Sequence, residues 1–267
     1  MARLNSLGSS RLLRRALFPI GFSGEVMLHI VKTWQTLSLN SRVTHETNIT
    51  AVFRDALIAA YVASGRSWFI TLEDPITDTT FGTELGRNDL RFYPPNHHGQ
   101  TLFFTVECKR LRVTTKSGMS SLAEQYVVAG IQRFIDGQYS AGLPCGGMVG
   151  YVMDNDMDEA FAAVQTAITS KQTEVRLLQD GLRIPSRVVP NYQWSADTRH
   201  KRMDGDFAVH HALLGIAREM QTQAATREDG DSCDDQLTTR LNNGKTPHVH
   251  HQHRAKRGPR CNRKIGS

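Results

Sequence analysis

Between residues 43 and 153 the apolar side chains switch repeatedly between a spacing near 3.6 and short β-rich runs, and this restricts the chain to an α/β fold. Val43, Ile49, Val52, Phe53, Ala56, Leu57, Ala60 and Tyr61 recur on one helical stripe that stops at Gly65, predicting a helix over 43–63. Strands are predicted at 67–72 (SWFITL), at 89–93 before Pro94-Pro95, and at 101–106 (TLFFTV) running on into Glu107-Cys108-Lys109. Leu122, Tyr126, Val127, Gly130, Ile131, Phe134 and Ile135 predict a second helix closed near Asp136-Gly137. A buried strand at 146–153 and a helix over 156–171 with acids in its first turn follow. A second αβ-type region is expected from Val175, and the run 207–216 (FAVHHALLGI) fits strand or helix equally.

Composition sets the class. In 267 residues, 39% hydrophobic and 22% charged, there is material for a real core, and no stretch is apolar enough for a membrane span. The four cysteines (Cys108, Cys145, Cys233, Cys261) are scattered with no C-x-x-C pair, so neither a zinc ribbon nor a disulfide framework is indicated, and a reducing, cytoplasmic setting fits.

The net charge of +6 suggests a polyanion partner until it is located. Residues 1–24 carry Arg3, Arg11, Arg14 and Arg15 and no acid, and residues 236–267 carry eight basic residues and no acid. The remainder, with 20 basic residues against all 26 acids, is negative. Three parts are therefore expected: a basic leader over 1–24, a folded domain over 25–220, and a disordered basic tail over 221–267 that includes HVHHQH. The leader reads either as a targeting segment or as a start extended upstream of Met27.

The segment 101–109 carries the chemistry. Alternation along a strand puts Glu107 and Lys109 on one face and Val106 and Cys108 on the other, so a nucleophilic Cys108 is not expected. An acid followed two residues later by lysine arises about once by chance in such a composition, so its meaning depends on context. Asp89 lies on the preceding strand-like piece, after a loop with Gly82, Gly86 and Asn88, and Glu46 lies on the helix before both. Asp74, Asp78 and Glu84 are rival acidic partners, and Asp89 itself also fits a turn.

An Asp on one strand, E-x-K at the end of the next, a Glu-bearing helix before them and a helix and strand after them resemble the PD-(D/E)xK superfamily of restriction-endonuclease-like nucleases. The resemblance covers 43–153, with Asn88 where a Pro usually precedes the Asp. It implies a core of helix, three strands, helix and strand, with a mixed central sheet flanked by helices. It also implies that Asp89 and Glu107 hold Mg²⁺ or Mn²⁺, with Glu46 as a further ligand or a partner to one. Lys109 would orient or help deprotonate the attacking water, and the catalytic set would be Asp89, Glu107 and Lys109. The partner implied is nucleic acid, DNA first, with no membrane; a homodimer is compatible with it. Restriction, repair or anti-phage defence are the roles such folds commonly serve.

Two further segments fit a nuclease. One is the helix motif Tyr126, Gly130, Arg133, Phe134 and Tyr139, with Arg133 a substrate-binding candidate. The other is Ser195, His200, Lys201 and Arg202, of which the last three could contact phosphate or form a basic surface loop. His210-His211 reads as packing rather than metal binding. The alternative to a nuclease is a nuclease-like fold without catalysis, serving as a nucleic-acid or protein-binding adaptor.

Overall fold

The computed structural model describes residues 11–40, 42–65, 68–77, 84–95, 101–179 and 181–216. The chain divides into two units at Gln221, and the described residues all lie in the first. The tail expected over 221–267, Asp78 and the first ten residues of the leader lie outside the described residues.

After a helical stretch at 11–17, the elements run α1 (Phe22–Thr36), α2 (Glu46–Ala63), β1 (Phe69–Thr77), β2 (Glu84–Tyr93) and β3 (Phe104–Leu111). A small hairpin, β4 (Val113–Thr115) and β5 (Gly118–Ser120), leads into α3, which joins α-helical turns Ala123–Tyr126 and Gln132–Ile135 through a π-helical turn at Val127–Ile131. Then come β6 (Cys145–Val152), α4 (Met157–Ser170), a 3₁₀ turn at Gly181–Arg183, β7 (Ser195–Arg202) and β8 (Gly205–Gly215).

Six strands form one mixed sheet in the order β1-β2-β3-β6-β8-β7. β1, β2 and β3 are an antiparallel meander, β6 lies parallel to both β3 and β8, and β7 closes the far edge antiparallel to β8. Parallel neighbours need a crossover, and α3 supplies the one between β3 and β6. The chain is thus α/β, with helices on a mixed central sheet.

Side-chain alternation sends two cores to opposite faces. Val26, Ile30 and Trp34 of α1 and Ile49, Phe53 and Leu57 of α2 pack with Leu90, Val106, Cys108, Val149 and Leu214. Tyr126, Ile131 and Phe134 of α3 and Val164 and Ile168 of α4 pack with Met148, Val152, Val209 and Leu213. β6 is buried along its whole length, as a central strand covered on both faces must be. Asp156 caps α4 by accepting the Glu159 N–H at 3.2 Å, and Asp158 and Glu159 complement the helix dipole.

Several expectations need correction. The leader does not stand apart where it is described: Phe22 is buried in α1, Arg14 Nη1 donates to the Ala141 carbonyl at 3.5 Å, and Arg15 bonds the Asp206 carbonyl. Helix α1 follows a stripe (Phe22, Val26, Met27, Ile30, Val31, Trp34) that the charge-based boundary at residue 24 cut across. The region after Val175 forms one 3₁₀ turn and two isolated bridges, then the β7–β8 hairpin, rather than a second αβ unit. The run 207–216 is a strand as far as Gly215, which puts His210 and His211 on opposite faces of the sheet. Among the described residues, no helix is long and apolar enough to cross a membrane.

Candidate active site

Antiparallel register ends with Leu90 paired to Val106, and alternation puts Asp89 and Glu107, the residues just beyond that pair, on the face covered by α3. Glu46, the first residue of α2, reaches the end of β3, where its Oε2 accepts the Arg110 backbone N–H at 2.9 Å. Three carboxylates from three elements therefore meet one ammonium. Lys109 Nζ lies 2.8 Å from Glu107 Oε1, 3.1 Å from Glu46 Oε1 and 3.9 Å from Asp89 Oδ2. Asp89 Oδ2 also accepts the Cys108 N–H at 2.7 Å, and Lys109 donates to the Cys108 carbonyl at 2.8 Å.

Exposure grades across the group. The Glu107 side chain is 1% exposed and those of Lys109, Asp89 and Glu46 are 14%, 24% and 30%, so the centre opens on the Glu46 and Asp89 side. Glu107 Oε2 is buried with no hydrogen-bond partner among the described residues, a state that costs about 1–3 kcal/mol or more, most when the oxygen is charged.

The electrostatics follow from this packing. Burial, then the neighbouring Asp89 charge, pushes Glu107 up to about 8 despite Lys109 and Arg133. Burial likewise raises Asp89. For Lys109, burial works against the ammonium, but Glu107, Asp89 and Glu46 outweigh it and hold its pKa above the usual lysine value. Lys109 is thus a fixed cation, unsuited to accept a proton near neutrality.

A second cation borders the centre. Arg133 Nη1 lies 3.3 Å from Glu107 Oε1 and donates to the Tyr139 hydroxyl at 2.6 Å, while its side chain is 38% exposed. Gly130, in the π turn, lets α3 approach, because a Cβ there would meet Met148 Cε at 2.5 Å, with Glu107 Cγ at 3.9 Å. Asn88, beside Asp89, is buried, and neither of its amide atoms has a hydrogen-bond partner among the described residues.

Asp89, Glu107, Lys109, Glu46 and Arg133 are thus brought together. His200, Lys201 and Arg202 are not. His200 is fully buried on β7, bonding the Val175 carbonyl and Thr198; Lys201 pairs with Asp206 at 3.1 Å; Arg202, also buried, pairs with Asp204 at 2.8 Å and donates to the Ser140 carbonyl. A three-residue basic run in a strand alternates between core and solvent, which composition alone did not reveal. Among the rivals, Asp74 pairs in register with Asn88 of β2 and Glu84 begins β2. Cys108 is buried on the opposite face from Glu107, as alternation requires.

The histidines serve the core. His210 Nδ1 bonds Asp197 Oδ1 at 2.9 Å, and Asp197 also accepts Ser186 Oγ and the Arg187 N–H. Burial disfavours the His210 cation, but Asp197 and Cys145 hold it up at about 9; burial pushes His211 down to about 3 and His200 to about 4. A raised histidine stabilises below its unfolded pKa of about 6.5, and that contribution is lost as pH rises through about 9. Asp197→Asn should therefore cost about 2–4 kcal/mol at pH 6 and clearly less at pH 10 in urea unfolding; an equal loss at both values would show that the pair carries none of it.

Among the described residues, no three His, Cys, Asp or Glu side chains stand as a ready metal-binding group, and the Lys109 ammonium pairs with the carboxylates of Glu46 and Glu107. The donor set still fits a hard cation: carboxylate oxygens of Asp89 and Glu107 lie 3.9 Å and 2.8 Å from Lys109 Nζ, and Glu107 Oε2 has no hydrogen-bond partner among the described residues. Compared with known proteins, the chain matches no family model, no curated protein and no solved structure.

Proposed function

We propose that this centre hydrolyses phosphodiester bonds of DNA as a divalent-metal-dependent nuclease of the PD-(D/E)xK type, with the restriction-endonuclease-like core that the resemblance implies. The observation that carries the reading is the meeting of Glu46, Asp89 and Glu107 on Lys109, with one Glu107 oxygen buried and unpaired. The order helix, three antiparallel strands, helix, parallel strand supports it.

Asp89 and Glu107 would hold Mg²⁺ or Mn²⁺, and Glu46 would join them or steady Lys109. Bound there, the ion would supply Lewis acidity toward the phosphoryl oxygen and the attacking water. Lys109, being a fixed ammonium, orients that water by donating to it and offsets charge growing on the phosphoryl group. Arg133, 38% exposed and paired with Glu107, is the substrate-binding residue of this reading. A cytoplasmic setting and a role in restriction, repair or defence accompany the reading as expectations.

Purified protein with supercoiled plasmid or linear duplex should cleave in Mg²⁺ or Mn²⁺, stop in EDTA, and lose cleavage with Asp89→Asn. Cleavage surviving Asp89→Asn would refute the assignment. The insertion of Lys109 among the carboxylates favours a second reading, an adaptor whose ion cluster is structural. Calorimetry separates the two: no heat on titrating Mg²⁺ or Mn²⁺ into the wild-type protein supports the adaptor.

A further inference from the structure

Arg133 is held by Glu107 and by the hydroxyl and ring of Tyr139. Its Nη1 makes both of its hydrogen-bond contacts, Glu107 Oε1 at 3.3 Å and Tyr139 Oη at 2.6 Å, and its Cζ lies 5.5 Å from the Tyr139 ring centroid, while Nε and Nη2 have no hydrogen-bond partner among the described residues. The Arg133 side chain is 38% exposed while the Glu107 side chain it pairs with is 1% exposed, so the guanidinium joins the buried end of the carboxylate group to solvent. A planar fork with an unspent edge beside a fixed ammonium is suited to grip two oxygens of one phosphate.

Tyr139 fixes that fork. Its hydroxyl accepts from Arg133 and donates to the Arg87 carbonyl at 2.7 Å, so both capacities are used. Its backbone N–H donates to the Arg133 carbonyl at 3.0 Å, and its buried ring packs edge-on against Phe134 at 5.4 Å. Gly137 at φ 76° and Ser140 at φ 52° turn the chain back for this closure. Upstream, the π turn adds a residue to one turn of α3 and so sets the angle at which Arg133 leaves the helix.

We propose that Tyr139 is the positioning residue of a phosphate clamp formed by Arg133, locking the guanidinium beside Glu107 so that its free edge meets the phosphate group about to be cleaved. This rests on the nuclease reading and adds to it the residue that aims the substrate cation. Tyr139 touches neither substrate nor metal.

The test is a double-mutant cycle with Tyr139→Phe, Arg133→Ala, Arg133→Lys and the Tyr139→Phe/Arg133→Ala pair. It is read on duplex cleavage in Mg²⁺ and on binding of a fluorescein-labelled duplex in EDTA. Arg133→Ala should lower kcat by about 10²-fold, with Arg133→Lys giving little rescue because a lysine cannot fork. Tyr139→Phe should lower kcat by about tenfold in the wild-type background and by nothing further in Arg133→Ala. Metal heats should be unchanged in Tyr139→Phe. An equal Tyr139→Phe loss in both backgrounds, or none in the wild type, overturns the proposal while leaving the nuclease reading intact. If the wild type binds duplex without cleaving it, the nuclease reading fails and the same cycle on binding decides the clamp. If it does neither, both fall.

Discussion

Lys109→Ala is expected to abolish metal-dependent cleavage, by about 10²- to 10³-fold in kcat, while making the carboxylates better ligands. Lys109 supplies the shortest ion pair in the group, at 2.8 Å from Glu107, and also bonds Glu46 at 3.1 Å. An incoming divalent ion must share those oxygens with it. Removing the ammonium removes that competitor, so calorimetry at pH 8.5 or above (about the raised carboxyl range) should give metal binding at least as tight as in the wild type. Weaker metal binding in Lys109→Ala would mean that the lysine holds the carboxylates in place, and its role would then be structural.

Glu107→Gln is expected to have the opposite signature: no cleavage, lost metal binding, and a more stable metal-free protein at alkaline pH. The sign follows from the raised carboxyl. With a folded pKa of about 8 against 4.5, Glu107 binds a proton more tightly in the folded state. Its contribution is therefore greatest below about pH 4.5 and declines as pH rises to about 8, and Asp89, also raised by burial, adds in the same direction. Lys109 does not titrate in this window, because its own pKa lies higher still. The metal-free wild type should lose stability on the order of a few kcal/mol between pH 5 and 8 from this source. Thermal melts in EDTA at pH 5, 6.5 and 8 should show that decline in the wild type and a flatter profile in Glu107→Gln. Saturating Mg²⁺ should oppose the decline in the wild type alone. A wild-type profile as flat as that of the variant would show that Glu107 ionises normally.

The legible parts of this molecule were those written in local periodicity. Strand alternation alone places Glu107 and Lys109 together and Cys108 apart, and the stripe on 43–63 locates α2 with Glu46 at its start. What brings Glu46 to Lys109 is the end of β3 meeting the first turn of α2, a relation across 63 residues that no local pattern encodes. The misplaced phosphate edge shows the reverse error. His200 and Arg202 look basic in a row, yet their alternation with exposed Lys201 sends both inward, and that signal was present in the letters. The partnership of Arg133 with Tyr139 depends on a π turn and a reversal at Gly137, neither of which sequence spacing resolves.

The outer strands decide how far this sheet can grow. Beyond β7, Leu177 and Pro185 already form bridges to His200 and Ala196, so that margin is partly capped by the chain's own irregular segment. At the other margin, β1 exposes Phe69 but carries Pro75, which lacks a donor where a new strand would need one. Among the described residues, β1 between Phe69 and Pro75 is the margin with no bridge to a further segment, and so the more open of the two to a second copy. An interface built on helices or loops would leave both margins as they are and would keep the sheet a closed unit in any assembly.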